Sequence, residues 1–299
     1  MWRATVLACL LALPAPAAAA AAKRPIVGFG EQNPTMFSDP YWKALHTPYV
    51  RAVVSWDALL VPVERAELDH YMETARAANA RMLVTFAHSR VEGHEDEIPT
   101  PRRFRELFRQ FRARYPGVKE FQAWNEGNHG TQPTWRAPRR AAQIYDVMRS
   151  ACPSCKVSAP SVLDQPNMLG WIRRFKAAAR HRVTIWSLHN YLDANRNRSI
   201  GTRKLLRNVK GEVWFTETGG IVGRFIDGKA KRGLGVKHAA TAVKRVFKLA
   251  ALSPRVKRVY FYNWVAPPRN WRWDSAIMGF DGRPRPAYGV IKRELARRR

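Results

Sequence analysis

The order of apolar runs in this chain predicts an α/β fold, a single (β/α)8 TIM barrel. Three observations carry that expectation. Short strand-like runs alternate with longer stretches whose apolar residues recur three and four apart. There are eight strand-like runs, at intervals of about 25 to 45 residues. No low-complexity segment or linker interrupts residues 23–299, which read as one domain.

In chain order, "RPIVGFG" (24–30) is the first strand. Its turn "GFGEQN" lacks the glycine spacing of a dinucleotide-binding crossover, which argues against a doubly wound open sheet. "YVRAVVSW" (49–56) is the second strand, followed by a helical pattern over 66–80. "RMLVTFAH" (81–88) precedes a helix over 101–115, and "KEFQAWNE" (119–126) precedes one over 137–151. "CKVSAPS" (155–161) leads to a helix over 168–181. The sixth and seventh strands are "VTIWSLHNY" (183–191) and "EVWFTET" (212–218). A helix over 235–252 then leads to the eighth strand, "RVYFYNW" (258–264). In each helical pattern, basic residues occupy the face opposite the apolar one.

Residues 1–22 read as a signal peptide. Arg3 starts it, an apolar stretch follows, then Pro14, Pro16 and a run of alanines with cleavage expected around Ala20 to Ala22. An uncleaved anchor is the alternative, although two prolines and an alanine-only second half fit a leader better. A lipoprotein reading is weaker because Cys9 comes too early. The expected location is therefore secreted, extracellular or periplasmic, with no stable membrane span after cleavage. Only Cys152 and Cys155 would remain in the mature chain. With no second cysteine pair for zinc and no thioredoxin-like surroundings, a short-loop disulfide is expected in an exported chain.

Of 299 residues, 46% are hydrophobic and 25% charged, an ordinary globular balance. The formal net charge of +29 is not ordinary. Such a field attracts anionic partners, including nucleic acid, acidic wall polymers and uronic-acid polysaccharides. The arginines are spread along the chain rather than gathered in one arm, as compositional bias would also produce. No specific nucleic-acid site is expected, and a monomer is.

In a barrel of this class, functional groups stand where the strands end. The fourth strand delivers Asn125 and Glu126, the sixth His189 and Tyr191, the seventh Glu217 and the eighth Trp264. The two glutamates lie three βα units apart and so face each other across the barrel mouth. A facing carboxylate pair is the minimal equipment for glycoside hydrolysis, with one as proton donor and the other attacking the anomeric carbon or activating water. Mutual repulsion divides the roles, because the first to ionise raises its neighbour's pKa.

"WNEGN", "HNY" and "TETGG" at these strand ends resemble the retaining β-glycosidases of clan GH-A, most of all the family 39 and family 5 relatives. The similarity covers essentially all of residues 25–290. It implies Glu126 as acid/base and Glu217 as nucleophile in a double displacement. It further implies Asn125 on the sugar 2-hydroxyl, His189 and Tyr191 steadying the site, and Trp264 as the floor of the subsite for the cleaved sugar. Arg51 matches an arginine the clan often places near the nucleophile. No cofactor or metal is implied. Gly127 departs from the clan, where a proline or bulky residue usually follows the acid/base, and frees the turn that aims Glu126.

Other signals are weaker. His88, Glu92 and His94 lack the spacing of a known metal motif. "NRNRS" carries a glycosylation-type triplet at Asn197. Arg269, Trp271, Arg272 and Trp273 follow the eighth strand and would suit carboxylated sugars, or would pack beneath their own loop. The expected partner is a carbohydrate substrate, with anionic polymers among the candidates. The competing readings are a catalytically inactive carbohydrate-binding barrel and a basic protein that binds anionic polymers.

Overall fold

The computed structural model describes residues 24–226, 229–231, 234–268 and 273–297. The expected signal peptide lies outside them, as do Arg269, Trp271 and Arg272. Strand β1 (Ile26–Gly30) leads through a 3-10 turn (Pro34–Ser38) and the short α1 (Pro40–Lys43) to β2 (Tyr49–Ser55). Then come α2 (Pro62–Ala77), β3 (Arg81–Ala87), α3 (Pro101–Arg114), β4 (Glu120–Gln122) and α4 (Pro138–Ala151). The fifth barrel strand is in two pieces, β5 (Lys156–Ser158) and β6 (Ser161–Leu163), followed by α5 (Met168–Ala178). The sixth is β7 (Ile185–His189), followed by α6 (Tyr191–Asn195) and α7 (Ile200–Asn208). The seventh is β8 (Glu212–Thr218), then a hairpin of β9 (Gly223–Ile226) and β10 (Lys229–Lys231), then α8 (Gly235–Ala250). The eighth is β11 (Val256–Tyr262), followed by β12 (Trp273–Asp274) and α9 (Pro286–Ala296).

The main sheet is parallel and runs in the order β5-β4-β3-β2-β1-β11-β8-β7-β6. Its two ends are two halves of one strand. β5 pairs with β4, and β6 pairs with β7. Ala159 and Pro160 divide them, and the Ser187 hydroxyl bonds that of Ser158 at 3.0 Å across the seam. Nine segments therefore close into an eight-stranded barrel. The fifth run reads as one strand in the sequence because the break at Pro160, which has no N–H to donate, is a hydrogen-bonding event and not a hydropathy one.

Helices α2, α3, α4 and α9 begin on a proline, whose fixed φ suits the first helical position. The Thr100 hydroxyl accepts the N–H of Arg103 and caps α3. Phe104, Leu107, Phe108 and Phe111 make its buried face, where Phe104, Phe108 and Phe111 meet Phe86 of β3 with ring centroids 5.3–6.0 Å apart. The helices α1, α6, α7 and α9 and the hairpin are additions to the elements expected from periodicity. Cys152 and Cys155, just past α4, form the expected disulfide.

The barrel interior divides into two ends. At the N-terminal end of the strands, Arg258 is buried with its guanidinium bonded to both oxygens of Glu120 and 4.1 Å from the Trp214 ring centroid. At the other end, polar residues at or just past the ends of β1, β4, β6, β7, β8 and β11 line a cavity.

Candidate active site

Arg51 organises the mouth. It lies on β2 and is 1% exposed. Its Nε donates to Thr85 Oγ1 at 3.0 Å, its Nη1 to Glu217 Oε2 at 2.8 Å and its Nη2 to Asn125 Oδ1 at 2.7 Å. All three guanidinium nitrogens donate, so the planar fork fixes all three neighbours. With Oδ1 of Asn125 occupied by Arg51, its NH2 is left to donate into the cavity.

Glu217 is the penultimate residue of β8, and its second oxygen accepts the Tyr191 hydroxyl at 3.1 Å. Burial holds the Tyr191 phenol well above its usual pKa, aided by the Glu217 charge, so it remains a donor. His189 is the register partner of Glu217 on the neighbouring strand β7. Tyr191 opens α6 instead of extending β7.

Glu126 lies just beyond β4 with φ +45°, a left-handed conformation uncommon for glutamate. Two bonds to the start of β6 hold it there. Its N–H donates to Ser161 Oγ, and the Gly127 N–H donates to the Ser161 carbonyl, both at 2.8 Å. The strained residue is Glu126 itself. Gly127 answers a different need, because a Cβ there would stand 2.6 Å from Cζ2 of Trp171. It makes room for a buried tryptophan and does not loosen the turn. The second glycine of "TETGG" is also a packing residue, since a Cβ on Gly220 would fall 2.1 Å from the Ala239 carbonyl of α8.

Burial raises the Glu126 pKa, against the lowering influence of His129 and Arg51. Burial drives His189 the other way, to about 3, with Arg51 assisting and Glu217 opposing, so its imidazole is neutral near pH 7. His189 Nδ1 lies 2.9 Å from Glu126 Oε1, and Nε2 lies 3.2 Å from Thr216 Oγ1. A neutral imidazole has one N–H and one lone pair. It can accept from a protonated Glu126, or donate to an ionised one, while the Thr216 hydroxyl takes the complementary part. The ring therefore holds Glu126 in both protonation states.

One oxygen from each glutamate and one His189 nitrogen all lie within 4.8 Å of one another. That set could hold a metal ion by distance alone. However, the Arg51 cation already sits 2.8 Å from Glu217, and a second cation there would meet its repulsion.

The cavity around the carboxylates has a volume of about 380 Å3, and Gln32, His129, Asp164, Tyr262 and Trp273 line it as well. Trp264 does not reach it. That side chain is 0% exposed, packed edge-on against Phe29 at 4.8 Å, with its indole N–H donated to Asp39 at 2.7 Å. The eighth strand stops at Tyr262, and Glu31 captures the next N–H groups, those of Trp264 at 3.0 Å and Val265 at 2.8 Å. Strand alternation thus no longer decides where Trp264 points. The cavity's aromatic wall is Trp273, edge-on to Tyr191 at 5.0 Å and stacked beneath the Arg224 guanidinium at 4.7 Å.

Two further polar residues, Glu31 and Asp164, lie immediately past β1 and β6, at the strand ends where functional groups of a barrel stand. Asp164 accepts the N–H groups of Leu192 and Asp193, at 3.1 and 2.7 Å, and so pins the start of α6 beside the cavity. Burial raises its pKa to about 6. His129 was legible only as part of the Glu126 turn.

The two tryptophans yield opposite expectations. Trp264→Ala should lower stability by about 3–5 kcal/mol, as deletions of buried tryptophan do, and show as a lower melting temperature. Trp273→Ala should mainly raise KM and leave the melting temperature nearly unchanged. If Trp273→Ala left KM unaltered, the wall assigned to it would be wrong.

His189 predicts acid lability. Its folded pKa is depressed, so its contribution to stability is fully present above the ordinary histidine value of 6.5 and lost as pH falls towards about 3. The melting temperature should fall through that window, and His189→Asn should flatten the fall. An equal slope in both proteins would contradict the buried neutral imidazole.

An eight-stranded barrel whose mouth carries two facing glutamates has the minimal equipment of a glycosidase. The family model for the glycosyl hydrolase catalytic core matches residues 101–284, more than half the chain, and the chain belongs to that family. The match agrees with the clan GH-A resemblance of the sequence. No curated protein matches the chain.

Solved structures resemble it in fold. One is a GH5_18 protein from Streptomyces cattleya in complex with GlcNAc, 13% identical with a TM-score of 0.66, covering 92% of this chain and 80% of that one. Another is a GH10 endoxylanase from a sugarcane soil metagenome, also 13% identical with a TM-score of 0.66, covering 91% and 97%. Fungal β-1,4-galactanases match at 12% identity and a TM-score of 0.62, covering 89% and 94%.

Proposed function

We propose that this chain is an exported glycosidase that cleaves an O-glycosidic bond of a poly- or oligosaccharide with retention of anomeric configuration. Glu126 is its acid/base and Glu217 its nucleophile. The observation that carries the reading is the separation of the carboxylates. One oxygen of each glutamate lies within 4.8 Å of the other, nearer the roughly 5 Å spacing of retaining enzymes than the roughly 6.5–9.5 Å of inverting ones.

The electrostatics favour this division of labour. Arg51 at 2.8 Å and the Tyr191 hydroxyl at 3.1 Å donate to the two oxygens of Glu217 and hold its carboxyl group in place to attack the anomeric carbon. Burial keeps Glu126 protonated at a pH where an ordinary glutamate is ionised, ready to give its proton to the departing oxygen. In the second half-reaction, the ionised Glu126 takes a proton from water. That water attacks the glycosyl–Glu217 ester and releases the sugar and free Glu217. His189 steadies Glu126 through both halves, Asn125 offers its NH2 to a sugar hydroxyl, and Trp273 walls the subsite.

The rate should therefore fall on the alkaline side as Glu126 loses its proton, at a pH above the ordinary carboxylate range. A panel of aryl glycosides identifies a substrate, and proton NMR of the first-formed product identifies its anomer. A retained anomer is expected. An inverted one, or no hydrolysis across a panel that includes uronides and oligosaccharides, would defeat the proposal.

A further inference from the structure

The catalytic pocket does not use most of the positive charge, and the outer face of the barrel shows where some of it gathers. A groove of about 570 Å3 follows α4 between α3 and α5. Arg105, Arg139, Arg174, Arg180 and His181 line it, against a single acid, Asp146. Asp146 is already engaged, for its two oxygens accept the backbone N–H groups of Arg180 and His181 at 2.9–3.1 Å. Among the described residues, none of the four guanidinium groups has a hydrogen bond or ion pair. Arg114, Arg258 and Arg285 are paired with carboxylates, whereas Arg102, Arg109 and Arg173 on the outer helices are as unpaired as the groove's, so it is the convergence of four such groups on one groove that sets it apart.

The groove's shape limits what it can hold. Arg139, Gln143, Asp146 and Ser150 recur at helical spacing along one side of α4. At about 1.5 Å per residue that stripe is about 16 Å long. It starts at the first turn of α4, on the side of the barrel where Glu126 stands, and ends beyond α5 at His181. An elongated channel with cations at both ends and along one wall fits an extended chain of anionic groups better than one small ion. Guanidinium forks bind carboxylates and sulfates in two-point contacts.

We infer that the α3–α4–α5 groove is a second binding site, distinct from the catalytic pocket, for an acidic polysaccharide. It would hold the enzyme on a carboxylated or sulfated polymer while the barrel mouth cleaves. The choice of polysaccharide rests on the proposed glycosidase function; the groove's preference for an extended polyanion does not.

The test measures binding and hydrolysis separately. In one full-length variant, Arg105, Arg139, Arg174 and Arg180 are changed to Gln. In a charge-matched control, Lys237, Lys244 and Lys248 of α8 and Lys292 of α9 are changed to Gln. Both are titrated with polygalacturonate, with heparin as the sulfated arm and double-stranded DNA as the nucleic-acid arm, at low and at physiological salt.

The groove variant should bind polygalacturonate or heparin about tenfold or more weakly at low salt, and the control should bind like the parent. Hydrolysis of a small neutral aryl glycoside should be equal in all three. If the two variants lose the same affinity, the binding belongs to the overall charge and the groove is no site. If the parent prefers DNA, or binds no polymer, the acidic-polysaccharide assignment is overturned. Failure of hydrolysis with localised binding intact would instead overturn the glycosidase reading.

Discussion

Replacing Glu217 with Ala should reduce turnover by several orders of magnitude on every substrate, whatever its leaving group. The carboxylate makes the covalent bond to the anomeric carbon, and no leaving group, however good, substitutes for that atom. The control must separate chemistry from folding. Arg51 is buried beside Glu217, and removal of one partner of a buried ion pair costs about 3–5 kcal/mol of stability. Glu217→Gln keeps one oxygen to accept from Arg51, and its NH2 can donate to the Tyr191 hydroxyl oxygen in place of the lost acceptor, so it should fold closer to the parent and still be inactive. Added azide should attack Glu217→Ala-bound substrate from the vacated face and give the inverted glycosyl azide. Near-parental activity of Glu217→Gln on any substrate would remove Glu217 from the mechanism.

Glu126→Ala should behave differently, because a proton donor matters in proportion to the basicity of the leaving group. Dinitrophenyl glycosides depart without protonation, so formation of the glycosyl–Glu217 ester should survive. Its hydrolysis should not, since the base that activates water is gone. The expected trace is a burst of phenol followed by a slow steady rate. Natural linkages should lose several orders of magnitude. Azide should restore turnover on good leaving groups and yield a glycosyl azide of retained configuration. Equal loss on good and poor leaving groups would deny Glu126 the acid role.

Much of this barrel was legible because strand and helix periods differ, and each apolar run up to β11 appears close to where periodicity put it. Glu126, His189 and Glu217 were legible for the same reason, as the last polar residues of buried runs. Trp264 was not, because it lies past the strand end, where a backbone bond to Glu31 and the packing of Phe29 set its direction. The role of Gly127 was hidden too, since what fills the space beside it is Trp171, distant in sequence. The convergence of Arg51 on both Asn125 and Glu217 depends on side-chain geometry across three strands, and hydropathy carries no trace of it. The same holds for the α4 groove. Its arginines look evenly scattered along the chain and become neighbours only when three helices pack side by side.

The central claim is a covalent intermediate on Glu217, and trapping it is the most direct test. The enzyme is incubated with a dinitrophenyl 2-deoxy-2-fluoro glycoside of whichever sugar it hydrolyses, digested, and read by mass spectrometry. The fluorine should slow both steps, and the good leaving group should restore only the first. One fluorosugar per chain is then expected on the peptide that contains Glu217, with activity lost in step with labelling and recovered as the label is released. A label on Glu126, or continued turnover without any labelled peptide, would contradict the account.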